Sequence, residues 1–102
     1  MASVTWTFQA LSDMADIAEY HAVKSEKYAS FLTTLFFERG EQLEHFPYLG
    51  RVLPESNLKS IREIIVENYR VIYSIPSSDK VNILAIRHSS IPLTNFPIEI
   101  DE

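Results

Sequence analysis

The sequence predicts an α+β domain, an N-terminal strand and a helical hairpin packed on a small antiparallel sheet in the order β-α-α-β-β-β. Three observations carry this. Apolar residues recur at helical spacing from about residue 10 to residue 45. From Ile61 onward the pattern changes to runs of β-branched residues broken by turn chemistry. At 102 residues, 46% of them hydrophobic, the chain has the material for one modest core, so 1–102 reads as a single domain.

Val4-Thr5-Trp6-Thr7-Phe8 alternates and is rich in strand formers, which predicts the first strand. Ser12 is the expected cap of the first helix, with Asp13 and Asp16 in its first turn and its end near Lys24. Ala10, Leu11, Met14, Ile17, Ala18, His21 and Ala22 share one face of it. Ser25 is placed to cap a second helix running to about His45, whose apolar face collects Tyr28, Phe31, Leu32, Leu35, Leu43 and Phe46. Phe37 falls almost opposite that face, Arg39 inside it, where it is expected to reach out to an acid, and Gly40 weakens the helix by about 1 kcal/mol relative to alanine.

Pro47 and Gly50 mark a break. Ile61–Glu67 and Arg70–Ile75 then flank Asn68-Tyr69 as a tight hairpin, Pro76-Ser77-Ser78-Asp79 makes the next turn, and Lys80–His88 is the last strong strand. The tail alternates at Phe96, Ile98 and Ile100, so residues 91–102 are read as a segment that pairs along an edge or docks on a partner.

Composition narrows the function. There is no cysteine, which rules out disulfides and thiolate metal sites, and three scattered histidines give no metal-ligand spacing, so no cofactor or metal is expected. No stretch has the ~20 apolar residues of a membrane span, and no signal-type leader opens the chain, so a soluble cytoplasmic protein without membrane contact is expected. The net charge of −5 disfavours direct DNA binding by this chain alone. Residues 51–98 lean the other way, with six cations against four acids, so an anion-facing surface would lie in that half.

Four stretches carry a resemblance. They are Ala10-Leu11-x-Asp13-x-x-Asp16-Ile17-x-x-Tyr20, Phe46-Pro47-x-x-Gly50-Arg51-x-x-Pro54-Glu55, Arg62-Glu63 followed by Tyr69-Arg70-Val71-Ile72-Tyr73, and Val81-x-Ile83-Leu84-x-Ile86-x-His88. In this order they resemble the RelE/ParE superfamily of toxins from type II toxin–antitoxin systems, more closely its ParE (plasmid-stabilisation) branch. The resemblance implies two helices on one side of a small sheet and a cognate antitoxin that forms a hetero-oligomer with the toxin and silences it. ParE-like members poison DNA gyrase, a binding function without chemistry. RelE-like members are ribosome-dependent endoribonucleases that cut mRNA. Where the family pattern continues with glycine and a basic residue, this chain has Ser89-Ser90-Ile91-Pro92.

On the nuclease alternative, the resemblance makes Glu55 the base, Arg70 the phosphate clamp and His88 the acid. Each also has a structural reading: Arg70 paired with Glu63 or Glu67 across the hairpin, Glu55 as a loop acid, and His88 held by a hydrogen bond at a strand end. His21 reads as a satisfied, partly buried histidine, and His45 as a favourable group at a helix C-terminus. Phe37 and Arg51 are the candidate partner contacts. The acidic composition favours a gyrase-binding toxin over a nuclease, with an inactive family member as a third reading.

Overall fold

The computed structural model describes residues 1–91 and 93. It contains β1 (Ser3–Trp6), α1 (Phe8–Ala22), α2 (Glu26–Glu41) with a 3-10 turn over Gln42–Glu44, β2 (Arg51–Val52), β3 (Ile61–Val66), β4 (Tyr69–Ser77) and β5 (Lys80–His88). The strands form one sheet in the order β1-β5-β4-β3-β2. The expected fold class stands, with two additions to the sheet. β1 lies parallel to β5, with Val4 opposite Val81, and the short β2 pairs with Arg62 and Glu63 of β3. A parallel pair needs a long connection, and the helical hairpin followed by the meander supplies it.

Element boundaries move for identifiable reasons. Thr7, not Ser12, caps α1: its hydroxyl accepts from the Ala10 amide at 3.2 Å and also donates to the Ile83 carbonyl at 2.8 Å. The first strand therefore ends at Trp6, and Asp13 faces the sheet rather than the helix N-terminus. Ser25 does cap α2, accepting from Tyr28 N–H at 3.0 Å. The α-helix stops at Glu41, short of His45. The β3–β4 turn is Glu67-Asn68, one residue earlier than the sequence suggests, because Tyr69 pairs with Val66 and is buried. Glu67 there has a left-handed φ of 54°. At the next turn Pro76 and Ser77 still belong to β4, leaving Ser78-Asp79 as the connection.

Alternation along β4 divides the protein. Tyr69, Val71, Tyr73 and Ile75 face the helices and pack with Ala10, Met14, Leu32, Phe36 and Leu43 in the main core. Ile72 faces the other way and joins a smaller cluster of Leu53, Ile61, Leu84 and Leu93 on the helix-free face. Phe31 and Phe46, read as core residues from the helical wheel, are exposed; Ala29, Phe36 and Gly40 are buried instead.

Gly40 has a packing role that its low helix propensity concealed. A Cβ there would sit 2.5 Å from Cζ2 of Trp6 and 3.1 Å from Cδ1 of Ile83. The bare helix surface lets the indole approach α2 closely, beside Ile83 of β5. Gly40→Ala is therefore expected to destabilise the protein by about 1–3 kcal/mol through overpacking, against a helix-propensity gain of about 1 kcal/mol. In a Trp6→Phe background, which lacks the colliding ring atoms, the penalty should shrink sharply. Chemical denaturation of the four variants of this cycle tests the point, and an equal penalty in both backgrounds would refute it.

Candidate functional site

The helix-free face carries a linear network of charges. Arg70 projects from β4 and is buried. Its Nη1 and Nη2 donate to the two Glu55 oxygens at 2.9 and 2.7 Å, and its Nε donates to Glu63 Oε1 at 2.5 Å. Glu63 projects from β3 on the same face, its side chain wholly inaccessible, and its Oε2 accepts from Arg51 Nε at 2.5 Å. The order in space is Arg51–Glu63–Arg70–Glu55, two cations and two anions. Glu55 sits in the turn after Leu53, whose side chain anchors that loop in the smaller apolar cluster.

Electrostatics follow from this arrangement. The hydrogen bonds from Arg70 hold the Glu55 carboxyl below the usual glutamate range, and those same bonds to Glu55 raise the basicity of Arg70 further. Across the β4–β5 ladder Arg70 lies directly opposite Arg87, a pairing that would repel. Each arginine has its own acid: Arg87 Nη1 donates to Asp13 Oδ2 at 2.7 Å. The guanidinium most suited to a phosphate is thus already occupied by two carboxylates.

His88 lies on the other face. It stands opposite Tyr69 in the ladder, and the two rings approach edge to face at 5.3 Å. Tyr69 belongs to the helix-side core, and its hydroxyl bonds His21 Nε2 at 2.8 Å. Burial raises the Tyr69 phenol above its ordinary pKa. The His88 Nδ1 bonds the Ser90 hydroxyl at 2.7 Å. The structure therefore brings Glu55 and Arg70 together and separates His88 from both by the thickness of the sheet. Among the described residues, no three acidic, histidine or cysteine side chains gather as a metal site.

The loop that leads into this network is clamped from the core side. The Tyr73 hydroxyl donates to Pro47 O at 2.8 Å and accepts from Gly50 N–H at 2.9 Å, and burial raises its pKa. Arg62 Nη1 adds a bond to Gly50 O at 2.8 Å, and its guanidinium lies 5.0 Å from the Tyr48 ring centre. A Cβ on Gly50 would collide with the Glu63 carbonyl, so only glycine lets the loop approach β3 this closely.

Of the two candidate partner contacts, Arg51 keeps 65% of its side chain exposed beyond its bond to Glu63. Phe37 is 39% exposed, yet its ring is not isolated, since it meets Trp6 edge to face at 5.1 Å. Arg39, expected to pair with an acid, instead donates to the Gln42 side chain at 3.3 Å. Glu63 was legible in the sequence only as a possible mate for Arg70. The signal for its larger role was an acid at a position of β3 where alternation places it on the same face as Arg70, between the apolar Ile61 and Ile65.

Residues 4–92 match the family described as the ParE toxin of the type II toxin–antitoxin system parDE. Solved structures of similar fold include a chromosomal ParDE toxin–antitoxin system from Pseudomonas aeruginosa, at 21% identity and a TM-score of 0.72, covering 86% of this chain and 96% of that one. The RelBE2 toxin–antitoxin complex from Mycobacterium tuberculosis is similar at 20% identity and a TM-score of 0.63, covering 85% and 96%. A YoeB/ParE toxin from Agrobacterium tumefaciens is similar at 14% identity and 0.56, covering 86% and 98%. Among curated protein sequences none matches. Among the described residues no helix is long and apolar enough to cross a membrane.

The charge network sets two expectations. Glu63→Gln leaves Arg70 and Arg51 without the buried anion between them and should destabilise by roughly 3 kcal/mol in urea titrations. A loss below a few tenths of that would show that the pair contributes nothing net. The Glu55 carboxyl has a depressed folded-state pKa, so its contribution is fully present above the unfolded value of about 4.3 and disappears as pH falls through the lower folded value. Glu55→Gln should therefore flatten the acid limb of the stability–pH curve and leave the slope near neutrality unchanged.

Proposed function

We propose, on the premise that this chain belongs to the ParE toxin family of type II toxin–antitoxin systems, that it is a binding toxin that inhibits DNA gyrase and is silenced by a cognate antitoxin in a hetero-oligomer. The observation that carries the choice of target is the division of the nuclease residues between the two faces of the sheet. Ribose-assisted cleavage needs an acid, a base and a phosphate clamp around one scissile bond. Here Glu55 and Arg70 neutralise each other on one face while His88 bonds Ser90 on the other. Charge points the same way, because a −5 protein gains little affinity for the dense phosphates of a ribosome.

A nuclease reading would require Glu55 to leave Arg70 and His88 to cross the sheet edge. Growth arrest without catalysis requires neither. Phe37 and Arg51 are the contacts proposed for the antitoxin, one supplying an aromatic surface and the other a cation at the end of the buried network.

Expression of the chain alone should arrest bacterial growth, with accumulation of cleaved DNA–gyrase complexes and intact ribosomal mRNA. The Glu55→Gln, His88→Ala double variant should stay toxic, with its fold verified by circular dichroism. If that variant is harmless while the wild type cuts mRNA at A-site codons, the gyrase reading fails and the endoribonuclease reading replaces it.

A further inference from the structure

Backbone direction along β3 leaves part of its outer edge open. Leu53 N–H donates to Ile61 O at 2.9 Å, so the backbone groups of Ile61 point away from β4, and alternation aims those of Glu63 and Ile65 the same way. β2 pairs with Arg62 and Glu63 and reaches no further. Among the described residues no strand lies beside Ile65 there, so its N–H and C=O face outward. The alternating tail at Phe96, Ile98 and Ile100 lies outside the described residues. A groove of about 610 Å³ opens along this edge between the end of α2 and β3, with Arg39, Leu49, Arg51, Glu63 and Ile65 among its lining. Leu49 and Ile65 are each about half exposed. Glu63 is the one acid in that lining, and Arg51 and Arg70 take up both its oxygens. Among the described residues Arg39 bonds the Gln42 side chain and no acid, and Arg51 stays mostly exposed.

We propose that this groove is a docking site for an extended acidic segment of a partner protein, which adds to the sheet as a short strand beside Ile65. The outward N–H and C=O of Ile65 are a donor and an acceptor at strand spacing, which another extended backbone satisfies together. Leu49 and Ile65 form a floor for an apolar side chain. The charge of the flanks sets the rest of the pattern. Arg51 stands opposite Glu63 on the helix-free face, and Arg39 comes from α2 on the other. A strand turns alternate side chains to the two faces, so one segment gives an acid to each arginine and still lays an apolar residue on Ile65. Two acids in succession followed by an apolar residue meet this requirement. The wall of the groove is held in advance, because the Tyr73 hydroxyl bonds both Pro47 and Gly50 of the loop that carries Leu49. Arg51 keeps the partner role proposed above, on which this docking rests, while occupancy of the groove is measurable whether or not the chain arrests growth.

The probe is a short capped peptide with two consecutive glutamates ahead of a run of valine and threonine, titrated into the full-length protein. Amide NMR signals of Leu49, Gly50 and Ile65 should shift, and exchange of the Ile65 amide should slow. A lysine-for-glutamate version of the peptide should bind more weakly by about threefold to tenfold, the worth of two exposed ion pairs. Arg39→Glu should weaken the glutamate peptide and strengthen the lysine one. The glutamate peptide N-methylated on every second backbone nitrogen, made in both registers, should lose binding in one register and keep it in the other. Shifts absent or centred elsewhere, equal binding of the two charge versions, or N-methylation without effect in either register would overturn the proposal. An Ile65 amide already protected without peptide would overturn it as well. Protection that fades on dilution would assign the edge to a second copy of the chain, and protection that persists would assign it to the chain's own end.

Discussion

The carboxylate of Glu63 is the constraint around which the helix-free half of the molecule is arranged. A wholly buried anion is tolerable only with paired, hydrogen-bonded cations, and two arginines from different elements meet that need. Arg70 fixes it to β4, and Arg51 fixes it to the loop that Tyr73 clamps from the core side. Because Arg70 then has spare donors in a partly buried position, the loop beyond β2 must bring in a second acid, and Glu55 is that acid. Burying one charge has dictated the positions of three others. An apolar residue at the same place would be compatible with stability, but it would leave Arg51, Arg70 and the loop they hold without a shared register.

The sheet works as a partition as well as a scaffold. Successive β4 residues Tyr69 and Arg70 project to opposite faces, so an aromatic environment with His21 and His88 and a charge network with Glu55 and Glu63 sit back to back. Proximity in sequence misleads here, because the Tyr-Arg pair looks like one motif and serves two separate surfaces. Glu55 and Arg70 therefore share one face of the sheet while His88 stands on the other.

Much of this architecture is legible in the sequence. Binary patterning placed both helices, the Ser25 cap and the three long strands, because each signal is local and repeated. The parallel alignment of β1 with β5 was not legible, since it joins segments at opposite ends of the chain and leaves no local mark. Thr7 was overlooked as a cap because Thr5-Trp6-Thr7-Phe8 reads equally well as strand; its tertiary bond to Ile83 decides between the two. The helical wheel of α2 put Phe31 in the core and treated Gly40 as a flaw. It could not register that a tryptophan from a different element would fill the space a side chain would have taken. At the candidate site, hairpin geometry offered Glu63 or Glu67 as the mate of Arg70, and the structure selects Glu63. The part of Glu55 was not legible, because it arrives on an irregular loop.

The pairing of the first strand with the last sets a condition on synthesis. Thr7 finds its partners Ile83 and Leu84 only across 76 and 77 residues of intervening chain, and the Asp13 carboxylate finds the Ile86 amide and Arg87 at a similar separation. Until those residues have cleared the ribosomal exit tunnel, α1 lacks the surface it covers and β1 has no neighbour. A nascent chain is therefore held short of its native architecture until β5 has emerged. A toxin of a toxin–antitoxin pair built in this way acquires its complete sheet only once β5 has emerged, which leaves an interval in which an antitoxin can already be waiting.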